Sequence, residues 1–182
     1  MKDEVKAKLA AASGDSALSR MKLVVTFIVS ATLANGLLAG GDVDRWLVGM
    51  PAWQSVGLLA WANYSRSADL GNGFVLYPIL AIGGTLLSLA AVVIFIRQGK
   101  HERVVAIPVY AAAALAVAGL IMTFKAAPFM LSLRHIGNED VASLQHAFDG
   151  FKLWGGLRTV LQTLAFGANL WSLAVIEKHQ QA

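Results

Sequence analysis

The sequence predicts an all-α integral membrane protein, a four-transmembrane-helix bundle with an additional outer interfacial helix. Two observations support this class. First, 57% of the 182 residues are hydrophobic, only 14% are charged, and the mean hydropathy is +0.60, whereas soluble domains carry about 25% charged residues. Second, four apolar stretches each have roughly the 20 residues that a helix needs to cross a bilayer core.

The four predicted spans cover residues 23–41, 74–96, 104–124 and 153–176. None of them contains Asp or Glu, and Arg158 is the only basic residue inside one. In lipid every backbone polar group must find a partner within its own segment, so these runs predict helices rather than strands. The first run follows a long polar lead and exceeds the usual core of a signal peptide, so we expect an uncleaved span.

Lys and Arg residues predict the orientation. Nine of them lie in the N-terminal flank, the second connection and the tail, against five in the first and third connections. This bias predicts a cytoplasmic N-terminal segment over 1–22, a membrane domain over 23–176 and a cytoplasmic tail over 177–182. We expect a bacterial inner-membrane protein. The net charge of +4 lies at the ends of apolar runs, which argues against a nucleic-acid partner.

The first outer connection, residues 42–72, contains three of the five tryptophans. Pro51 suits the first turn of a helix, after which Trp53, Trp61 and Tyr64 fall on one face together with a glycine. Aromatic rings with a polar edge favour the membrane interface. The segment therefore predicts an amphipathic helix on the outer leaflet, which could also cover a pocket between the spans.

The second outer connection predicts a further helix start. Asn138 is the expected N-cap, followed by two acidic residues in the first turn, and the helix carries His146 before Gly150 interrupts it. The chain has no cysteine, and its histidines show no spacing typical of a metal site. We therefore predict no metal and no cofactor, with His146 either a surface residue or a catalytic base.

Polar residues form a stripe along the fourth span. At 100° per residue, an arc of about 80° contains Trp154, Arg158, Gln162, Ala165, Asn169 and Ser172. Lipid does not tolerate such a face, so the stripe should point into the bundle or into a cavity.

Three interpretations of the stripe remain open. Arg158 could extend to the outer interface, which leaves the deeper Gln162 and Asn169 unexplained. The stripe could join helices by hydrogen bonds, a role that the closely spaced Gly36 and Gly40 would support. It could also line a site for an anionic or carbonyl-bearing ligand, because arginine holds an oxyanion with two hydrogen bonds.

Several short motifs occur together in this sequence. A segment PAW…W…YSRxADLGNG precedes a Tyr-Pro pair at the start of the second span, and Trp-x-x-x-Arg-Thr opens the fourth. This combination, within residues 23–176, resembles the anthrone oxygenase-like family of small four-helix membrane proteins, most of unknown function. The matching positions are Pro51, Ala52, Trp53, Arg66, Asp69, Gly71, Gly73, Tyr77, Pro78, Trp154, Arg158 and Thr159.

The resemblance implies oxidation of anthrones to anthraquinones by dioxygen, without metal or flavin. In this chain Arg158 would stabilise the oxyanion, Trp154 would stack on the substrate ring, and His146 or Asp69 would be the base. The predicted binding set also includes Gln162, Asn169, Trp61 and Asn35.

The alternative is a non-enzymatic protein, either an accessory subunit of a membrane complex or a lipid-binding scaffold. Arg158 would then pair with a carboxylate such as Asp69, with no cavity beside it. The partners expected across these two hypotheses are the lipid bilayer, a hydrophobic aromatic small molecule, and a membrane-protein partner or a second copy of the chain.

Overall fold

The computed structural model describes residues 2–97, 99 and 102–181, with side chains between positions 21 and 179. Within these ranges the chain is helical and contains no strand. The α-helices are α1 (Lys2–Asp44), α2 (Met50–Val56), α3 (Leu58–Ser67), α4 (Gly73–Ile96), α5 (Arg103–Ser132) and α6 (Val141–Gln181), and π-helical turns occupy Arg45–Gly49 and Ala68–Asn72. The predicted all-α class is confirmed.

Four continuous helical stretches are long and apolar enough to cross a membrane. They run over Met21–Val56, Leu58–Ile96, Arg103–Ser132 and Val141–His179, which confirms four candidate spans. Each stretch continues past the end predicted from hydropathy, mainly on the side of the two predicted outer connections. Several polar side chains in these extensions, such as Asp42 and Arg45, are paired inside the bundle, so hydropathy alone ends the spans too early.

Residues 42–72 contain two short helices, α2 and α3, in place of one continuous helix. Gly57 has φ of +99° and ψ of 162°, which ends α2 and begins α3 at a sharp break. Trp61 is therefore completely buried instead of facing an interface. Its ring packs edge to face on Phe148 of α6, with ring centroids 5.0 Å apart.

Two hydrophobic clusters hold the helices together. The outer cluster lies under the two predicted outer connections and consists of Met50, Trp61, Ala62, Ala126, Met130, Leu133, Leu144, Ala147, Phe148 and Phe151. The inner cluster lies toward the predicted cytoplasmic end and consists of Val24, Ile28, Ala91, Phe95, Val105, Val109 and Ile176. The buried polar side chains of the bundle occur mostly between these clusters.

The N-cap of helix α6 is Asp140, not Asn138 as predicted. The backbone N–H of Ser143 donates to Asp140 Oδ1 at 3.0 Å, the bond expected of an N-cap carboxylate. The Asn138 side chain instead accepts a hydrogen bond from Arg66 at 2.7 Å. Arg66 also donates to the carbonyls of Leu133 and Ile136, so one guanidinium joins α3 to the loop between α5 and α6.

Gly150 does not interrupt α6, contrary to the prediction. The helix is continuous through it, and the Phe129 ring lies where a Cβ of this glycine would stand. The residue is thus a packing glycine. Gly36 acts in the same way, because a Cβ there would lie 2.8 Å from Phe166, whereas Gly40 faces open space. Only half of the predicted glycine pair therefore supports close packing.

Candidate functional site

Arg158 faces another helix. Its side chain is 8% exposed and makes two bonds to Asp42, which is 3% exposed. Nε donates to Oδ2 at 3.0 Å, and Nη2 donates to Oδ1. This bidentate pair joins α6 to the last turn of α1. The carboxylate that the sequence proposed for this role, Asp69, is bound elsewhere.

The polar stripe continues deeper into the bundle as a hydrogen-bonded chain. Gln162 donates through Nε2 to Asn35 Oδ1 at 2.6 Å, and Asn35 donates through Nδ2 to the Ser88 hydroxyl at 3.3 Å. Three helices, α6, α1 and α4, are thereby connected through side chains. Gly84 makes this possible, since a Cβ there would lie 2.8 Å from Asn35 Oδ1.

Asn169 lies one further step along the same stripe. It is buried, and its Nδ2 has no hydrogen-bond partner among the described residues. The neighbouring Ser172 hydroxyl donates to the Ala168 carbonyl at 2.8 Å, within α6. The polar side chains at the outer end of the stripe thus have hydrogen-bond partners. At its inner end, Asn169 Nδ2 has none among the described residues.

A second buried ion pair lies close to the first. Arg45 Nη2 donates to Asp69 Oδ1 and, at 3.0 Å, to the Tyr77 hydroxyl. The guanidinium carbon also lies 4.9 Å from the centre of the Tyr77 ring and 5.7 Å from that of Phe151, within cation–π range. Asp69 is 5% exposed, yet its other oxygen, Oδ2, has no hydrogen-bond partner in the described structure.

The two ion pairs form one group of alternating charges. Arg45 follows Asp42 by three residues, about one helical turn, and acts electrostatically on it. The order Arg158, Asp42, Arg45, Asp69 therefore alternates positive and negative charge. Two arginines and two aspartates sum to zero, so burying the group transfers no net charge into the bundle.

A cavity of about 130 Å³ adjoins the second pair. This outer cavity is lined by Arg45, Asp69, Leu70, Gly73, Phe74, Tyr77, Pro78, Thr123, Ala127, Met130, Leu131 and Phe151. Four of these, Asp69, Gly73, Tyr77 and Pro78, belong to the motif from which the family resemblance was drawn. Arg158, Gln162 and Asn169 are not among its lining residues.

Local backbone geometry places Asp69 at the cavity wall. Residues Ala68–Asn72 form a π-helical turn, and Gly71 within it has ψ of −119°, outside the helical range. Such turns often occur at functional sites. Gly73 follows, and a Cβ on it would lie 2.8 Å from the Ala68 carbonyl oxygen. The two glycines of the GNG sequence thus allow the chain to turn tightly just after Asp69.

The other predicted site residues lie apart from the outer cavity lining. Trp61 belongs to the outer cluster, and its indole N–H has no partner among the described residues. Trp154 packs partly buried against the same cluster. His146 is exposed on α6, with its ring 5.5 Å from that of Phe129. The structure therefore brings together Asp69, Arg45 and Tyr77, and places Arg158 with Asp42 and Asn35 with Gln162.

Arg45 and Asp42 were missed because both follow the end of the first predicted span. A signal was present in the sequence, since Asp42 and Arg45 have the spacing of neighbours on one helix face. Helix α1 and the π-helical turn after it continue past Gly40 and Gly41. This continuation turns the side chains of Asp42 and Arg45 into the bundle.

The described residues contain no group of three or more His, Asp or Glu side chains that could hold a metal ion. Comparison with known proteins gave no match to a family model, to a curated protein or to a solved structure.

Proposed function

We propose that this chain is a membrane-embedded enzyme of the cofactor-independent oxygenase type, acting on a hydrophobic aromatic substrate in the outer cavity. The proposal rests on the position and the hydrogen bonding of Asp69. It is buried and bonded to Arg45 through one oxygen, while the other oxygen has no partner among the residues that the structure describes, and the residue lines the cavity. A buried carboxylate with one free oxygen is suited to accept a proton from a bound ligand.

Each residue of the site has a role in this proposal. Asp69 Oδ2 removes an acidic hydrogen from the substrate. The Arg45 guanidinium, which has five N–H donors, and the Tyr77 hydroxyl stabilise the oxyanion that forms when the substrate carbanion delocalises onto its carbonyl. The Phe151 ring, already in contact with Arg45, provides an apolar wall for the substrate ring.

The reaction balances with dioxygen as the only co-reactant. The methylene group of an anthrone loses a proton to Asp69, and the resulting carbanion transfers electrons to dioxygen and forms a carbon–oxygen bond. The peroxide takes the proton back from Asp69 and then eliminates water, which leaves a second carbonyl on the ring. Asp69 is a carboxylate again at the end of the cycle.

Arg158 has a supporting role in this proposal. The resemblance implied that it would stabilise the oxyanion, but both of its bonds to Asp42 are already formed. We propose instead that the Arg158–Asp42 pair fixes α1 against α6 and thereby holds Arg45 at the cavity.

The test is oxygen consumption by the purified protein in phosphatidylcholine vesicles, with anthrone as substrate and the spontaneous rate subtracted. Replacement Asp69→Asn removes the base and should lower the enzymatic rate by at least about 100-fold, the lower end of a typical general-base contribution. Asp149→Asn is the matched control, because Asp149 is an exposed carboxylate bonded to Gln145 outside the outer cavity.

Two results would overturn the proposal. One is a wild-type rate no greater than that of vesicles without protein. The other is an equal rate for Asp69→Asn and wild type, which would show that another group or the solvent takes the proton.

The second candidate is a non-enzymatic subunit or lipid-binding scaffold. The observation that favours it is the outer part of the stripe, where Arg158 and Gln162 bond directly to α1 as expected for structural contacts between helices. This candidate expects no anthrone oxidation by the wild type and co-purification with a membrane-protein partner in mild detergent.

A further inference from the structure

We infer that the ligand of the outer cavity is an amphiphile dissolved in the bilayer. A single aromatic ring with an ionisable hydroxyl group occupies the cavity, and an alkyl tail leaves it between α4 and α5. The inference rests on the proposed function in that it concerns the same site, and it specifies the class of molecule that the site takes.

The size of the cavity limits the part of the ligand that it encloses. A cavity of about 150 Å³ is enough for one benzene molecule, and the outer cavity measures about 130 Å³. It therefore encloses about one six-membered ring. The remainder of any ligand, whether further fused rings or an alkyl tail, therefore lies outside this space.

The polar atoms of the cavity match a ring hydroxyl. Asp69 lines the cavity, and its buried Oδ2, which has no hydrogen-bond partner among the described residues, would accept this hydrogen; Arg45 and Tyr77 can donate to the hydroxyl oxygen.

The opposite side of the cavity is apolar and reaches the surface of the bundle. Phe74 of α4 is 48% exposed and Leu131 of α5 is 36% exposed, and both line the cavity. The Arg134 guanidinium lies 4.7 Å from the centre of the Phe74 ring, so the mouth has a charged neighbour on that side, and we infer that an alkyl chain leaving along Leu131 stays in an apolar medium.

The membrane-external side of the cavity is covered. Leu70, Met130 and Phe151 line the cavity and also belong to the outer cluster or pack against it. Above them, Arg66 fixes the loop between α5 and α6 to α3 through its bonds to Leu133, Ile136 and Asn138. A ligand therefore enters sideways, between α4 and α5, rather than from water.

The experiment uses a para-alkylphenol that carries a photoreactive diazirine at the middle of its tail. The full-length protein is labelled in phosphatidylcholine vesicles, digested, and the labelled peptides are identified by mass spectrometry. We expect labelling on α4 and α5 near Phe74 and Leu131. An unlabelled alkylphenol should compete for it, whereas an alkylbenzene of equal length, without the hydroxyl, should not.

Two pairs of variants separate the ring site from the tail path. Asp69→Asn should reduce labelling about 10-fold, because a hydrogen bond to a charged group is lost, while Asp149→Asn should leave it unchanged. Leu131→Trp fills the mouth and should also reduce labelling about 10-fold. Leu86→Trp, on another exposed position of α4, is the control for a bulky residue on the lipid face.

The outcomes distinguish this inference from the proposed function. Hydroxyl-dependent labelling at the mouth without any oxygen consumption would support the inference and contradict the enzyme. Anthrone oxidation that depends on Asp69, together with labelling that the alkylbenzene competes equally well or that spreads evenly over exposed faces, would overturn the inference and leave the proposed function standing.

Discussion

Two ion pairs among the described residues adjoin each other, because Asp42 and Arg45 are three residues apart, and they differ in bonding and in surroundings. The Arg158–Asp42 pair is bidentate, so both carboxylate oxygens are bonded. In the Arg45–Asp69 pair one carboxylate oxygen is bonded and the other has no partner among the described residues, and both residues line a cavity. The first pair has the geometry of a structural contact between helices, and the second has that of a binding site.

The comparison shows that burial of a charge in a membrane-length helix does not by itself locate a functional site. Arg158 is the only charge inside the predicted spans, and the family resemblance implies that it stabilises an oxyanion. Its Nε and Nη2 both donate to Asp42, so this side of the guanidinium is not available to a ligand. The more informative feature is the unbonded oxygen of Asp69, a residue at the end of a short outer helix.

The largest expected effect is on the structural pair. Replacement Asp42→Ala leaves Arg158 buried and without its partner, which should lower the free energy of unfolding by about 3–5 kcal/mol. Thermal unfolding of the purified protein in detergent, followed by circular dichroism, measures the change.

A double variant sharpens this prediction. Asp42→Asn combined with Arg158→Gln removes both charges and should recover a large part of the lost stability, because breaking a buried pair costs more than removing it. Equal instability of the single and double variants would contradict a role for unpaired charge and would assign the effect to packing.

The next largest effect concerns the cavity pair. Asp69→Asn should lower the rate of anthrone oxidation at least about 100-fold and change stability less than Asp42→Ala does, because Arg45 keeps its contacts with Tyr77 and Phe151. Rates and unfolding curves from the same preparations test both parts. A stability loss as large as that of Asp42→Ala would remove the distinction between the two pairs.

A smaller effect is expected in the hydrogen-bonded chain beneath both pairs. Gly84→Ala places a Cβ 2.8 Å from Asn35 Oδ1 and should destabilise the bundle by about 1–3 kcal/mol through overpacking. Gly83→Ala is the matched control, since nothing lies within 4 Å of its Cβ position. Unfolding curves that coincide for the two variants would show that Asn35 and Gln162 rearrange at no cost.

The smallest effect is a pH dependence outside the spans. Hydrogen bonds from the side chain and the backbone N–H of Ser143 lower the pKa of Asp140 below its ordinary value of 3.8. A carboxylate with a lowered pKa in the folded protein stabilises it above pH 3.8, and this contribution is lost as the pH falls through the folded-state pKa. Asp140→Asn keeps a side chain that can cap the helix but cannot titrate. The free energy of unfolding of this variant should therefore vary less with pH in this range than that of the wild type.

The sequence predicts the class and the number of long helices because hydropathy reports the length of each apolar run. It also predicts that the polar stripe of the fourth span faces inward. It does not predict which carboxylate Arg158 meets, because Asp42 lies one residue beyond the first apolar run and its direction depends on the continuation of α1. Asp69 was named as a candidate base, but its partner Arg45 depends on two π-helical turns that hydropathy does not detect.

The contacts of Arg66 have a consequence for how ligand binding should be measured. With the loop between α5 and α6 fixed over the outer cluster, the inferred mouth at Phe74 and Leu131 exchanges ligand with lipid. Occupancy should then follow the mole fraction of ligand in the bilayer, not its concentration in the buffer. For a ligand held almost wholly in lipid, doubling the lipid at constant total ligand would halve that mole fraction and make binding look weaker, although no residue of the site had changed.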